Sequence, residues 1–275
     1  MHFNDLIEAW RISQDSTVAD PKADAALWDT MAPNFGDYAI PTASDDAFLS
    51  LLDTSGILKD VQNALDIGCG AGKYALALAD ELPGGITGTD LSPQMIKLAL
   101  EKAAQFRKTN LTFRQENWHT LSLSQERMDA AFDLVYAHNT PAIGSRESLD
   151  KMIAAARKWC VLTMPLRRRD SILDALADDF SLSKTNERRE LNFLYIFEYL
   201  WYKGYEPCLA YDKQQWDTSR PLAKACDLYL KRIRSMEMTF SESEAAIRHW
   251  LKKHSVNDIV SEHTETTVVT LYWRV

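Results

Sequence analysis

The feature that most constrains this chain is a glycine-rich turn caught between two hydrophobic patterns. Asn63-Ala64-Leu65-Asp66-Ile67 is a short apolar run, of strand length and below helix length. It leads directly into Gly68-Cys69-Gly70-Ala71-Gly72. Lys73 to Leu82 then has helical texture and stops at Pro83-Gly84-Gly85. Strand, glycine turn and helix open a βαβ unit. Glycines there let the chain turn tightly and let a ligand approach the backbone, while the helix start offers unpaired N–H groups.

The alternation continues. Ile86-Thr87-Gly88-Thr89-Asp90 reads as a second strand, and Ser92-Pro93 as an N-cap with proline at the first helical position, opening a helix to about Arg107. Leu111 to Arg114, Phe132 to Ala137 and Cys160 to Met164 read as the third, fourth and fifth strands, the last closed by Pro165. A helix from about Arg146 to Lys158, capped by Ser145, joins the last two. This spacing predicts an α/β fold built on a doubly wound, mostly parallel sheet. After Pro165 the alternation gives way to helical patterns near 171–180, 187–203, 221–235 and 242–253. Ser241-Glu242-Ser243-Glu244 supplies a capping box for the last of these. Pro207 to Lys213 has some strand character. The β-branched and aromatic end, Thr266 to Val275, is a strand that completes the sheet antiparallel to the rest. The expected organisation is an N-terminal helical lid (1–60), a core (61–165), and a helical insertion that covers the substrate and ends in the final strands (166–275).

Charge and cysteine content narrow the function classes. The net charge is −8, and residues 1–63 carry eleven acids and three bases, so all the excess lies there. A nucleic-acid partner is not expected of such a chain. The basic run Arg167-Arg168-Arg169 reads as a solvated face, with a clamp for an anionic substrate as the alternative. Cys69, Cys160, Cys208 and Cys226 form no C-x-x-C pair, and no metal site is expected. The N-terminus lacks signal-peptide texture and no stretch reaches 18 apolar residues. A cytoplasmic protein without a membrane partner is the expectation.

The glycine turn is flanked by acids. Asp66 lies two residues before the first glycine, and Asp90 ends the next strand, where a carboxylate can accept both ribose hydroxyls. The dinucleotide fingerprint G-x-G-x-x-G would need a glycine where Lys73 stands, which argues against a nicotinamide oxidoreductase. Asp66 would repel a pyrophosphate and suits a cationic ligand.

At these residues the sequence resembles the class I S-adenosylmethionine (SAM)-dependent methyltransferases, whose core is Rossmann-like. The matching segments are LDIGCGAGKYALALA (65–79), GTDLSPQMIKLA (88–99) and FDLVYAHNT (132–140). The resemblance implies SAM as cofactor, S-adenosylhomocysteine as product and a small-molecule methyl acceptor. It implies that Gly68, Cys69 and Gly70 pass under the methionine part, that Asp66 holds its amino group and that Asp90 takes the ribose hydroxyls. Leu91 and Met95 would lie against the adenine. Asn117 would hold its amino group beside Trp118, although Glu116 competes for that position. Trp28 and Tyr38 would close over the cofactor from the lid. His138, at the end of the fourth strand, would contact SAM or pack beside it, and is also the candidate general base, with His119 behind it. Asn139-Thr140-Pro141-Ala142 lacks the second proline and the aromatic residue of the N-P-P-Y signature of amino-group methyltransferases. The aromatic helix Phe193-Tyr195-Phe197-Tyr199-Trp201-Tyr202 serves packing, an acceptor pocket or a homodimer interface. Protein or RNA as acceptor, and a SAM-binding scaffold without catalysis, stay open.

Overall fold

The computed structural model describes residues 3–14, 25–26, 28–29, 31–180, 186–235 and 244–275. Helices α1 (Phe3–Gln14), α2 (Ala47–Thr54) and the single turn α3 (Ile57–Asp60) precede the first strand. Strands and helices then alternate: β1 (Ala64–Ile67), α4 (Lys73–Leu78), β2 (Ile86–Asp90), α5 (Pro93–Gln105), β3 (Leu111–Gln115), α6 (Leu123–Glu126), β4 (Phe132–His138), α7 (Arg146–Ala155) and β5 (Ala156–Asp170). The remainder is α8 (Ser171–Asp179), α9 (Asn186–Tyr202), β6 (Cys208–Pro221), α10 (Leu222–Ser235), α11 (Glu244–Lys253) and β7 (Ile259–Arg274).

The seven strands run in the order β3-β2-β1-β4-β5-β7-β6, parallel from β3 to β5 and antiparallel at the C-terminal strands. This is the doubly wound α/β sheet that the spacing predicts. All four residues of β1 are buried, as a central parallel strand covered on both faces demands. Phe48, Leu52, Ile57, Leu76, Leu134 and Val161 belong to the cluster that covers it. Each such side chain, fully buried, contributes about 1.5–3 kcal/mol. The order reverses between β1 and β4, so the crevice beyond their carboxyl ends is where such sheets take ligands.

The caps form at the expected residues. Ser92 Oγ accepts from Met95 N (3.1 Å) with Pro93 opening α5, and Ser145 accepts from Ser148 N to start α7. Three of the capping-box residues, 241–243, lie outside the described residues. Several boundaries differ from the sequence reading: α4 ends at Leu78 and α7 at Ala155, earlier than expected, and the last three strands are longer. β5 does not stop at Pro165 but runs on to Asp170, because proline's fixed φ is compatible with extended backbone and costs only one donor. β6 runs past the expected Lys213 to Pro221, and β7 begins at Ile259, ahead of the expected Thr266.

The chain forms two compact units. The larger comprises Met1–Met164, Leu194–Ala210 and Val269–Val275; the smaller comprises Pro165–Phe193 and Tyr211–Val268. In the larger unit, α1 packs through Trp10 on Tyr195 and Tyr199 of α9, with ring centroids 6.3 and 5.8 Å apart. Tyr199 also donates to Asp150 (2.6 Å), so much of the aromatic helix is structural. In the smaller unit, Ile172, Leu176, Ala225, Tyr229, Ile247 and Val260 belong to a separate core of α8, α10, α11 and β7. No helix among the described residues is long and apolar enough to cross a membrane, and these residues contain no cluster of metal-ligand type.

Candidate functional site

The glycine turn sits at the carboxyl end of β1, held by Gly68 N and Cys69 N, which both donate to the Thr89 carbonyl (2.8 and 2.9 Å). Two of its glycines are needed for different reasons. Gly68 has φ +69°, and a Cβ there would stand 2.1 Å from Thr140 Oγ1, so this glycine admits the loop after β4. Gly70 has φ +52°, and a Cβ there would meet nothing within 4 Å. The space over Gly70 is open, and its backbone is accessible to a ligand.

Two carboxyls flank this space, Asp66 buried and Asp90 half-buried. Asp66 is 3% exposed, and burial raises its carboxyl to about 8. Tyr136 opposes the rise and Asp90 adds to it. The Tyr136 hydroxyl falls short of a full hydrogen bond and is buried without a partner. Asp90 is also raised by burial, against the pull of backbone N–H groups of Ser92, Gly70 and Leu91. Its Oδ2 accepts from Gly70 N and its Oδ1 from Ser92 N, both at 2.9 Å. With three such donors on two oxygens, the carboxylate still keeps lone-pair capacity for another donor. Among the described residues no cation pairs with either acid.

The segment before the core closes on the turn from its other side. Tyr38 donates to the Ala71 carbonyl (2.7 Å), and Trp28 and Tyr38 pack on Ala32, Ala71 and Met95. Asp29 adds a second cap to α5, accepting from Ser92 Oγ (2.5 Å) and Gln94 N (3.3 Å). This contribution of Asp29 is not signalled in the sequence, because 63 residues separate it from its partner. Leu91 follows Asp90 and is half-buried, and the buried Cys69 side chain faces β2, 2.9 Å from where a Gly88 Cβ would be.

The remaining candidates divide. Glu116 is tied to Arg114 (2.7 Å). Asn117 accepts from His119 N through Oδ1 (3.0 Å) and is half-buried. Trp118 is buried against α7, with Nε1 donating to the Ser148 carbonyl (3.2 Å) and Lys151 bonded to its own carbonyl. Its indole is committed to that helix. His119 lies exposed on the following turn. The ring of His138 packs between Phe48 (centroids 4.8 Å apart) and Tyr74 (4.1 Å). Burial, with Lys73 nearby, pulls its imidazole down to about 3. It is neutral at physiological pH and a weak proton acceptor there, which argues against the general-base role.

Residues 58–185 match a family model described as a methyltransferase domain. The match covers a little under half of the chain and likens these residues to the methyltransferase domains that the glycine turn resembles in sequence. A demethylmenaquinone methyltransferase of Lactiplantibacillus plantarum is 32% identical over 141 residues, 50% of this chain and 56% of the relative. Phosphoethanolamine N-methyltransferase 3 of Arabidopsis thaliana is 33% identical over 93 residues, 34% of this chain and 17% of the relative. The chain thus spans little more than half of one curated relative's length and under a fifth of the other's. Among solved structures, phosphoethanolamine N-methyltransferase 2 of Haemonchus contortus, bound to phosphomonomethylethanolamine and S-adenosylhomocysteine, aligns with a TM-score of 0.51. It is 17% identical and covers 94% of this chain and 60% of that one, a likeness of fold. Around the glycine turn stand open space over Gly70, the buried Asp66 and the half-buried Asp90, neither paired with a cation among the described residues, and a Tyr136 hydroxyl without a full hydrogen bond.

Proposed function

We propose that the chain is a SAM-dependent methyltransferase acting on a small-molecule acceptor. The observation that carries this reading is the pair of cation-free carboxyls, Asp66 buried and Asp90 half-buried, beside the open glycine turn. SAM, when bound, supplies a methyl group already activated by its sulfonium. The protein then has to bind, align and exclude water. Asp66 holds the ammonium end, and the Gly68-Cys69-Gly70 backbone lies under the same part. Asp90 accepts from the ribose hydroxyls with its free lone pairs, while Leu91 and Met95 flank the base. Asn117, whose Oδ1 already takes one donor, accepts a second from the adenine amino group. Trp28 and Tyr38 shield the site from the lid side, and His138 serves packing. The small-molecule acceptor draws support from relatives named for phosphoethanolamine and demethylmenaquinone.

Calorimetry with SAM, S-adenosylhomocysteine and NAD tests the proposal: both sulfur nucleosides should bind and NAD should not. Binding of NAD alone would sink it. Asp90→Ala should weaken SAM binding by ~1–3 kcal/mol, the cost of leaving ribose hydroxyls unpaired and the Gly70 N–H unheld. Unchanged affinity would remove Asp90 from the site.

A pH effect follows from Asp66. Its folded-state value lies above the unfolded carboxyl value, so the folded chain holds this proton more tightly. Its contribution to stability is complete below pH 4, falls as pH climbs toward 8 and is flat beyond. The unliganded protein should therefore lose several degrees of Tm between pH 6 and 9, and Asp66→Asn should recover part of that loss. Parallel melting curves of the two proteins decide it; identical pH slopes would show that Asp66 ionises freely.

A further inference from the structure

Asp66 stands in the sheet between two unlike neighbours. Its partner on β2 is Gly88, and its partner on β4 is Tyr136. Residues opposite one another in a sheet point to the same face. On the Gly88 side that face carries no side chain of β2. The Phe113 ring and the Cys69 thiol fill the place, 2.7 and 2.9 Å from where a Gly88 Cβ would be. The ring has no donor, and the thiol donates to the Gly70 carbonyl (3.6 Å). Asp90 contributes a like charge and no donor. On the β4 side stands a phenol. Of these neighbours, Tyr136 alone offers a free donor to the Asp66 carboxyl.

That donor is idle in this structure. Tyr136 Oη is closed off from water and has no hydrogen-bond partner among the described residues. Its ring is held in place by Phe48 (centroids 5.7 Å apart), which packs on His138 as well. Burial, and then the adjoining Asp66, push the phenol well above its usual range, so it keeps its proton and acts as a donor. A buried donor without an acceptor destabilises the fold that contains it. Asp66 has the converse need. To hold an ammonium group it must be ionised, and an ionised carboxylate in a dry setting needs hydrogen bonds to more than one lone pair. The ammonium meets part of that need, and the idle phenol is placed to meet the rest.

We propose that Tyr136 is the positioning residue of the ammonium site: its hydroxyl donates to Asp66 once that carboxyl has released its proton to water and taken up the amino group of SAM, and so fixes which oxygen faces the ligand. The pairing of Tyr136 with Asp66 stands on the sheet register; the ligand rests on the methyltransferase reading.

Two compounds separate this role from a structural one. S-Adenosylhomocysteine carries the amino-acid end, whereas methylthioadenosine has the same adenosine and thioether sulfur without it. Calorimetry at neutral pH measures both on wild type, Tyr136→Phe, Asp66→Asn and the double variant. Tyr136→Phe should weaken S-adenosylhomocysteine about tenfold, the effect of losing one hydrogen bond to a charged group, and leave methylthioadenosine unchanged. On the Asp66→Asn background the same substitution should have little further effect, because the anionic acceptor is gone. The unliganded Tyr136→Phe protein should melt at or above the wild-type temperature, since only an idle hydroxyl is removed. Equal losses for the two compounds, no loss for either, or losses that add to those of Asp66→Asn would refute the role of Tyr136 and leave the methyltransferase reading in place. A Tyr136→Phe protein that melts lower, or does not fold, would refute it too, by showing the hydroxyl engaged without a ligand. If wild type binds neither compound, the methyltransferase reading fails, and the role of Tyr136 falls with it.

Discussion

Gly68→Ala should destabilise the protein by about 3 kcal/mol or more, a far larger effect than most alanine substitutions at loop glycines. Two costs combine. The backbone at this position has φ +69°, and a residue with a Cβ costs roughly 1–2 kcal/mol there. The added methyl would also stand 2.1 Å from Thr140 Oγ1, which is fixed because it accepts from Ala142 N (3.2 Å). Overpacking a rigid site costs ~1–3 kcal/mol more. The two costs separate in a double-mutant cycle. Thr140→Gly removes the clash and leaves the dihedral, so Gly68→Ala on that background should cost only the first part. Gly70→Ala has no clash to relieve, and its loss of stability should come from φ alone. Denaturant unfolding of the four proteins of the cycle and of Gly70→Ala measures all of this. Equal losses at Gly68 and Gly70 would mean that Thr140 gives way freely.

That contrast also shows what the sequence could and could not disclose. The strands of the larger unit are legible because each parallel strand must bury both faces, so β1 and β4 read as short apolar runs broken only by Asp66 and Asp133. Ser92-Pro93 and Ser145 are legible because capping is a local act. The glycine turn is legible as a turn, yet the letter G does not reveal that Gly68 yields to Thr140 while Gly70 faces open space. β6 escapes because an edge strand buries little. Its run of Asp212, Lys213, Gln214, Gln215 and Asp217 resembles a loop in composition, and charged residues of this kind are how edges avoid mispairing. His138 stands at the expected end of β4, but its desolvation by Phe48 and Tyr74 depends on two other elements. Arg167-Arg168-Arg169 looked like one solvated face. Strand alternation divides it, so that Arg167 pairs with Glu190 while Arg168 turns inward to Trp216.

Arg232→Met should lower stability by about 3–5 kcal/mol at pH 8, and by clearly less at pH 5. Arg232 is the cation shared by Asp170 and Glu262, whose side chains are 4% and 2% exposed. Removing one partner from a buried ionic cluster leaves charge uncompensated, and this is the costly way to break it. The pH dependence follows from the two acids. Burial raises Asp170, as does its hydrogen bond with Glu262. Burial also pushes Glu262 up, but hydrogen bonds with Asp170, Tyr229 and Arg220 and the charge of Arg232 outweigh it, and the net shift is down. In the wild type the pair thus keeps one firmly ionised member and one that is readily protonated. Without Arg232 both values rise. Near pH 5 the pair can take up a proton and shed the repulsion. At pH 8 both acids are forced toward the charged form in a dry setting, and the full penalty returns. Urea unfolding of wild type and variant across this range should therefore show a difference in stability that widens with pH. A difference independent of pH would mean that Arg232 contributes through the stacking of its guanidinium on the Tyr229 ring and not through its pairing with the two acids.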